Sequence, residues 1–333
     1  MGNTPMLLTA TRHAVIRLVG LGFAAGLLTL HAVAQPADFA AWLRLLHSEA
    51  LQLGISEKTL DTALTGLQPL PRVVELDRRQ PEVTLTYTQY IQRALSASRV
   101  QRGKHLLATH RALLTEIGAA YGVQPPVIVA LWGMETDYGR ATGDFPVLAA
   151  LATLAYDGRR SAFFRREFLE ALKIVDEGHI TPKAMLGSWA GAMGQNQFMP
   201  SSFRQYAIDF NGDGRRDIWT TLPDIFASTA NYLARSGWQQ GESWGCRVTV
   251  PAHVGPAHAG LEERKSLLAW QALGVQSSCG DSQTRQASLV LPEGPDGPAF
   301  LVYDNFHTLL KWNRSTYFAL AVGQLADTVG EEG

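Results

Sequence analysis

The chain has little cysteine, little net charge and none of the short motifs that mark several large enzyme classes. Cys246 and Cys279 are its two cysteines, and 29 lysines and arginines stand against 30 acids, for a formal charge of -1 at pH 7. Two thiols allow at most one bridge, which in an exported chain would close a modest loop. The alternatives are two free thiols or half a metal site, for which no neighbouring histidine has ligand spacing. So even a charge gives no reason to expect nucleic acid, and the pairs Arg159-Arg160 and Arg165-Arg166 are too small to form a basic face. There is no Gly-x-Ser-x-Gly elbow, no His-Glu-x-x-His pair and no phosphate-binding Gly-Lys-Ser/Thr loop, which sets aside the corresponding enzyme classes. No internal repeat or low-complexity tract is evident.

A long apolar run is missing too. Residues 18–30 are apolar, short of the about 20 residues that a membrane span needs. Arg12, His13 and Arg17 precede them, and Ala32-Val33-Ala34 offers a small-x-small cleavage site before Gln35. Residues 1–34 are therefore expected to be a cleaved signal peptide, with an uncleaved anchor as the alternative. No cysteine stands at the cleavage site, so lipidation there is not expected.

What is present is ordinary for a globular protein: 46% hydrophobic and 18% charged residues in a chain of 333, enough for two or three subdomains. Phe39, Trp42, Leu43, Leu46, Ala50 and Leu53 recur at helical spacing. Ser56 is placed to cap a second helix over 57–64. Pro69, Pro71 and Pro81 read as linker. A helical pattern restarts at Tyr87 and runs to Tyr121, with a break expected at Gly103. This gives an N-terminal helical subdomain over 35–104, its aromatics assigned to packing. A helical core is expected over 105–244: Pro125-Pro126 suits a first turn, and further helices fall at 148–156, 161–176 and 221–236. After Trp244 the texture changes, with short β-type runs at 247–250, 287–291 and 300–303 in Gly- and Pro-rich sequence. The fold class is thus mainly α (α+β), with a small β-rich insertion over 245–303 and a return to helix within 304–333.

Two stretches carry the chemistry. Val129-Ala-Leu-Trp-Gly-Met-Glu-Thr-Asp-Tyr-Gly139 sets one carboxylate, Glu135, on an apolar helix. Burial penalises the charged form, so such an acid stays protonated near neutrality and can donate to a glycosidic oxygen. The plain alternative is a surface glutamate at a helix end. Asp137 is rotated from it by roughly 200° on a helix, and no second carboxylate stands out as a nucleophile. The other stretch is Gly191-Ala-Met-Gly-Gln-Asn-Gln-Phe-Met-Pro-Ser201, preceded by Ser188. Gln195, Asn196 and Gln197 offer donors and acceptors to acetamido and hydroxyl groups, and Phe198 a face for a sugar ring. A polar Asp/Asn/Gly loop follows, with Asp209, Asn211 and Asp213 at the first, third and fifth positions of an EF-hand-like pattern. Arg215 is seventh, Asp217 ninth, and Asp224 could close a lengthened loop. It reads as a candidate structural calcium site, with a plain Asn-Gly/Asp-Gly turn as the alternative; acid catalysis requires no cofactor.

Together, Glu135-Thr-Asp-Tyr-Gly139, the 191–202 segment, the 209–217 loop and Asn231-Tyr232-Leu233 resemble the lytic murein transglycosylases of the B type, over about residues 38–325. The resemblance implies a lysozyme-like helical core with a flanking helical domain and a small β domain. It implies cleavage of the N-acetylmuramic acid–β-1,4–N-acetylglucosamine bond in peptidoglycan, the muramyl C6 hydroxyl attacking C1 to give a 1,6-anhydro end. A hydrolytic muramidase and a non-catalytic peptidoglycan-binding scaffold are the rival readings. Glu135 matches the single acid, then base. Ser188, Gln197, Phe198, Tyr232 and Asn313 match groove positions, and Arg159 and Arg160 basic positions facing lactyl or peptide carboxylates. Trp312 stands where tyrosine is commoner, and Phe318 also replaces a tyrosine. The expected partners are glycan strands, with cell-wall synthesis or secretion proteins as candidates and no nucleic acid. The expected location is the periplasm, in soluble form.

Overall fold

A computed structural model describes residues 38–79, 85–277 and 282–331. The expected signal peptide, residues 1–34, lies outside the described residues, as does Cys279. No single helix among the described residues is long and apolar enough to cross a membrane.

Helices begin where the sequence supplies caps. Asp38 opens α1 (Phe39–Gln52), and the Ser56 hydroxyl accepts from Thr59 N at the start of α2 (Glu57–Leu64). The proline stretch taken as linker is partly a helix, α3 (Pro71–Arg78). Pro71 sits at its first turn, where its missing N–H costs nothing. Thr86 and Gln89 form a capping box on α4 (Tyr87–Ala94), and Ser96 caps α5 (Ala97–Thr109), followed by α6 (Arg111–Tyr121) and α7 (Pro125–Thr136). The helical stretch from Tyr87 thus breaks at Leu95–Ser96 and at His110, not at Gly103. Gly103 lies inside α5 because Tyr138 and Val329 press on it so closely that a Cβ would collide with both. The expected subdomain boundary at 104/105 falls within this same helix.

A two-residue strand, β1 (Phe145–Pro146), leads into α8 (Val147–Tyr156) and α9 (Ser161–Asp176), and pairs antiparallel with β2 (Leu186–Gly187). After α10 (Pro200–Tyr206) and α11 (Leu222–Arg235) comes the β-rich part. There β3 (Gly245–Thr249), β4 (Lys265–Ser266), β5 (Gln276–Ser277), β6 (Gln286–Val290) and β7 (Ala299–Val302) form an antiparallel sheet, ordered β4-β6-β7-β3-β5. A short helix, α12 (Leu267–Ala272), closes a second small core around Trp270, Leu289, Leu301 and Tyr303. Cys246, on β3, is bonded in a disulfide.

The chain then returns to the helical part as two helices, not one. In α13 (Asp304–Trp312) the last turn gives way to an extended Asn313, and Ser315 caps α14 (Thr316–Gly330). The main core is continuous from α1 through α14. At its centre lies α7, with α5, α6, α11 and α14 packed around it.

Candidate active site

Every position of α7 from Val127 to Gly133 is buried, as befits a helix apolar on all sides. Glu135 occupies its last turn. The helix then stops abruptly, since Asp137 and Tyr138 both take left-handed backbone angles, φ 49 and 63, a conformation costly for residues with a Cβ. Tertiary contacts hold them there. The Tyr138 ring lies on Gly133, where a Cβ would come within 2.6 Å of it, and its hydroxyl donates to Arg99 O at 2.9 Å. Asp137 faces Arg99 at 3.5 Å and Arg140 at 3.4 Å. Gly139 follows at φ 82, and a side chain there would strike the Gln195 amide.

That amide belongs to the framework. Gln195 accepts the Trp132 indole N–H at 2.7 Å and donates to Trp219 O at 2.8 Å, and the Thr136 hydroxyl reaches Gln195 O at 3.1 Å. Buried Asn196 donates to Ile225 O and to the Thr229 hydroxyl at 2.8 and 2.7 Å. Both amides therefore hold the turn onto α7 and α11, which corrects the expectation that Gln195 presents its amide to a ligand. Gln197, at φ 51, turns its Nε2 back onto Thr142 O and Gly194 O, and Ser188 Oγ accepts from Ala192 N at 3.0 Å. Gln197 and Ser188 still keep partial exposure. Phe198 does not, with 3% of its surface open. It is a wall residue, packed on Trp312 and Tyr232 at centroid distances of 5.3 and 5.8 Å, not a face open to a sugar ring.

Tyr232, from α11, donates to Lys311 O at 2.7 Å and meets Trp312 edge-on at 4.7 Å. Trp312 in turn donates its indole N–H to Glu135 Oε1 at 2.7 Å. Asn313 follows, exposed, its Oδ1 accepting from Ser315 N at 3.0 Å. The residue Glu135 keeps some open surface while protein surrounds its carboxyl. Burial pushes that carboxyl up to about 7 from 4.5, with the Trp312 hydrogen bond opposing the rise. Among the described residues no second carboxylate bears on its ionisation. Tyr90 of α4 is the nearby phenol: burial first, then the Glu135 charge, holds its hydroxyl above the usual value. Sequence reasoning gave Tyr90 to packing and noted Trp312 without linking it to Glu135, 177 residues away. No spacing rule connects such positions.

Arg159 and Arg160 pair with an acid of the protein itself. Both bind the fully buried carboxylate of Asp77 on α3, at 2.8 and 2.6 Å, and Arg160 also lies 4.9 Å over the Phe164 ring. They fasten α3 to the start of α9 and are already engaged by protein.

The acidic loop folds around its own main chain. Asp209 accepts from the N–H groups of Gly212, Asp213 and Gly214, Asn211 Oδ1 accepts from Asp213 N, and Asp213 accepts from Arg215 N. Asp224, buried at the start of α11, accepts from Phe210 N and Asp217 N, both at 2.8 Å. Burial holds its carboxyl above the usual range, and the nearby Asp209 charge adds to the rise. Among the described residues no three acidic, histidine or cysteine side chains converge enough to hold a metal ion. The donor types suit a hard cation; as arranged, Asp209, Asn211, Asp213 and Asp224 are turned onto amides, and Arg215 reaches toward Asp213 at 3.9 Å.

An acid poised near neutrality thus stands at the end of a buried helix, beside a turn and an aromatic wall, in a fold of the class that cleaves glycosidic bonds. The chain belongs to the lytic murein transglycosylases of the B type: the family described as Transglycosylase SLT domain matches residues 38–327. It is similar to membrane-bound lytic murein transglycosylase B of Escherichia coli K12, with 33% identity over 287 residues, 83% of this chain and 79% of that protein. Its fold, the lysozyme-like one, matches the crystal structure of SltB3 from Pseudomonas aeruginosa in complex with NAG-anhNAM-pentapeptide. That match has a TM-score of 0.86 and 47% identity, covering 88% of this chain and 80% of that one. The Escherichia coli transglycosylase Slt35 in complex with calcium matches with a TM-score of 0.75 and 31% identity, over 86% of this chain and 91% of that one.

Proposed function

We propose that Glu135 is the sole acid and base of this transglycosylase, acting on the β-1,4 bond between N-acetylmuramic acid and N-acetylglucosamine. The protonated carboxyl gives its proton to the bridging oxygen and the bond to C1 breaks. The muramyl C6 hydroxyl then closes on C1 while the carboxylate takes the hydroxyl proton, so no water is consumed. Nucleophile and electrophile sit in one sugar, which supplies the proximity that a second protein carboxylate would otherwise have to organise. The observation that carries this reading is Glu135 itself, raised to about 7 by burial, with no acid among the described residues contributing to that rise. A two-carboxylate glycosidase would set a second acid about 5–9.5 Å away. The SltB3 complex with an anhydro-sugar peptide supports the same product here.

Ser188, Gln197, Tyr232 and Asn313 are proposed to line the groove, with Tyr90 beside the acid. Digestion of purified sacculi followed by mass spectrometry tests the reaction. Anhydro-ended muropeptides, lighter by one water than hydrolytic products, are expected. Hydrated reducing ends would make the enzyme a muramidase. Glu135→Gln should cut release by about 10²–10⁴-fold.

The 209–217 loop is proposed to take a structural calcium ion, as its donor types and the calcium complex of Slt35 support. A cation would relieve the repulsion between Asp209 and Asp224. Melting should rise with calcium and fall with a chelator; an unchanged melting temperature refutes this. The basic, apolar and small-residue succession before Gln35 supports export to the periplasm, which cell fractionation tests.

A further inference from the structure

We propose that Trp312 is the positioning residue for Glu135, an indole that fixes Oε1 and leaves Oε2 to carry the proton in both halves of the reaction. The inference rests on Glu135 being the acid. Its basis is the 2.7 Å hydrogen bond from Trp312 Nε1 to Glu135 Oε1 and the way the indole is held. Tyr232 lies edge-on to it at 4.7 Å and Phe198 packs at 5.3 Å. The Tyr232 hydroxyl ties down the carbonyl of the preceding residue, Lys311, whose ammonium reaches Ser236 O at 2.7 Å. The ring cannot turn without dismantling these contacts.

The chemistry follows from what an indole lacks. It donates one hydrogen bond and accepts none. A hydroxyl in its place could turn and accept, so a protonated Glu135 would have a second resting state, with its proton pointed at the wall and away from the glycan. The indole closes that state. Oε1 accepts from Trp312 when the group is an acid and again when it is a carboxylate. The proton therefore leaves Oε2 for the glycosidic oxygen and returns to Oε2 from the C6 hydroxyl, with no rotation between the steps. The donor also favours the charged form, which matters for the second half, where a carboxylate must act as base. Among the described residues, Tyr90 of α4 feels the charge of Glu135 and also that of Arg99, which pairs with Asp137.

The test is a ¹³C NMR titration of glutamate-labelled protein, the Glu135 carboxyl being assigned by its loss in Glu135→Gln. It is paired with the pH profile of anhydro-muropeptide release. In Trp312→Phe the ring remains and the donor goes, so Glu135 should titrate about one unit higher, and the alkaline limb of the profile should move with it. Trp312→Tyr restores a donor and should titrate below Trp312→Phe; should the phenylalanine variant not fold, Trp312→Leu, which also lacks a donor, takes its place. A titration of Trp312→Phe that coincides with wild type, or one of Trp312→Tyr that does not fall below Trp312→Phe, would overturn the proposal. If Glu135→Gln kept its activity, the acid assignment would fail instead, and the NMR result would still report on the hydrogen bond.

Discussion

The carboxyl proposed as the acid of this enzyme should also weaken its fold, and Glu135→Gln should show it. An unfolded chain ionises this group near 4.5, and the folded one near 7. Below 4.5 both states hold the proton and it contributes nothing. As pH rises from 4.5 to 7, the unfolded chain releases its proton first, so the wild type loses stability across that window. Above 7 the loss is complete. At 1.36 kcal/mol per unit the rise corresponds to about 3 kcal/mol. Glutamine keeps the shape, still accepts from Trp312 and does not titrate. Glu135→Gln should therefore match the wild type at pH 4.5 and exceed it by about 2–3 kcal/mol at pH 8, or roughly 3–5 °C in melting temperature for a chain of this size. Melting both proteins at pH 4.5, 6 and 8 is the assay. A difference that does not grow with pH would refute the reasoning, because it would mean the buried carboxyl costs the fold nothing.

Three further outcomes follow from contacts around the site. Gly133→Ala pushes a methyl into the Tyr138 ring and should cost about 1–3 kcal/mol; it should also slow glycan release, since the last turn of α7 must shift. Wild-type melting and turnover in that variant would mean the ring has room to move. Gln195→Leu strands the Trp132 indole N–H and should cost about 2 kcal/mol, with little change in KM. The reverse pattern, altered KM at constant melting temperature, would make Gln195 a ligand group after all. Asp77→Ala leaves Arg159 and Arg160 without their acid and should lower stability by about 2 kcal/mol, less than a fully buried pair because both arginines are half-exposed. Chemical denaturation would check it, and an unchanged midpoint would show that solvent already screens the cluster.

Local signals were legible in the sequence. Ser56 caps its helix as its position suggests, and the apolar periodicity locates α8 and α9 to within a residue. The β texture after Trp244 is a sheet. Glu135 stood out because its neighbours are apolar and because a known family carries the same motif. What failed were readings that depend on distant partners. Gly103 looked like a helix break, yet it is a seat for Tyr138, a residue the chain reaches 35 positions later. Pro71 reads as linker until α8 is there to receive α3. The pairing of Arg159 and Arg160 with Asp77 went unread because that acid lies on another helix, 82 and 83 residues earlier. The amides of Gln195 and Asn196 looked available because nothing in a polar turn tells which groups the protein itself consumes. Trp312 and Tyr90 belong to the same class of omission, being set beside Glu135 only by the packing of three separate helices.

The reach of the bond between Trp312 and Glu135 bears on the order in which the molecule is assembled. A chain that grows or crosses a membrane N-terminus first exposes its acid long before its indole, and the helix α14 that covers α7 comes later still. Closing so long a loop is entropically slow work, left to the end. In the unfolded chain Glu135 is an ordinary glutamate, ionised at neutral pH, and only burial among the packed helices raises it. If Glu135 is the acid, a chain that has not yet packed its C-terminal helices lacks the protonated group the reaction needs.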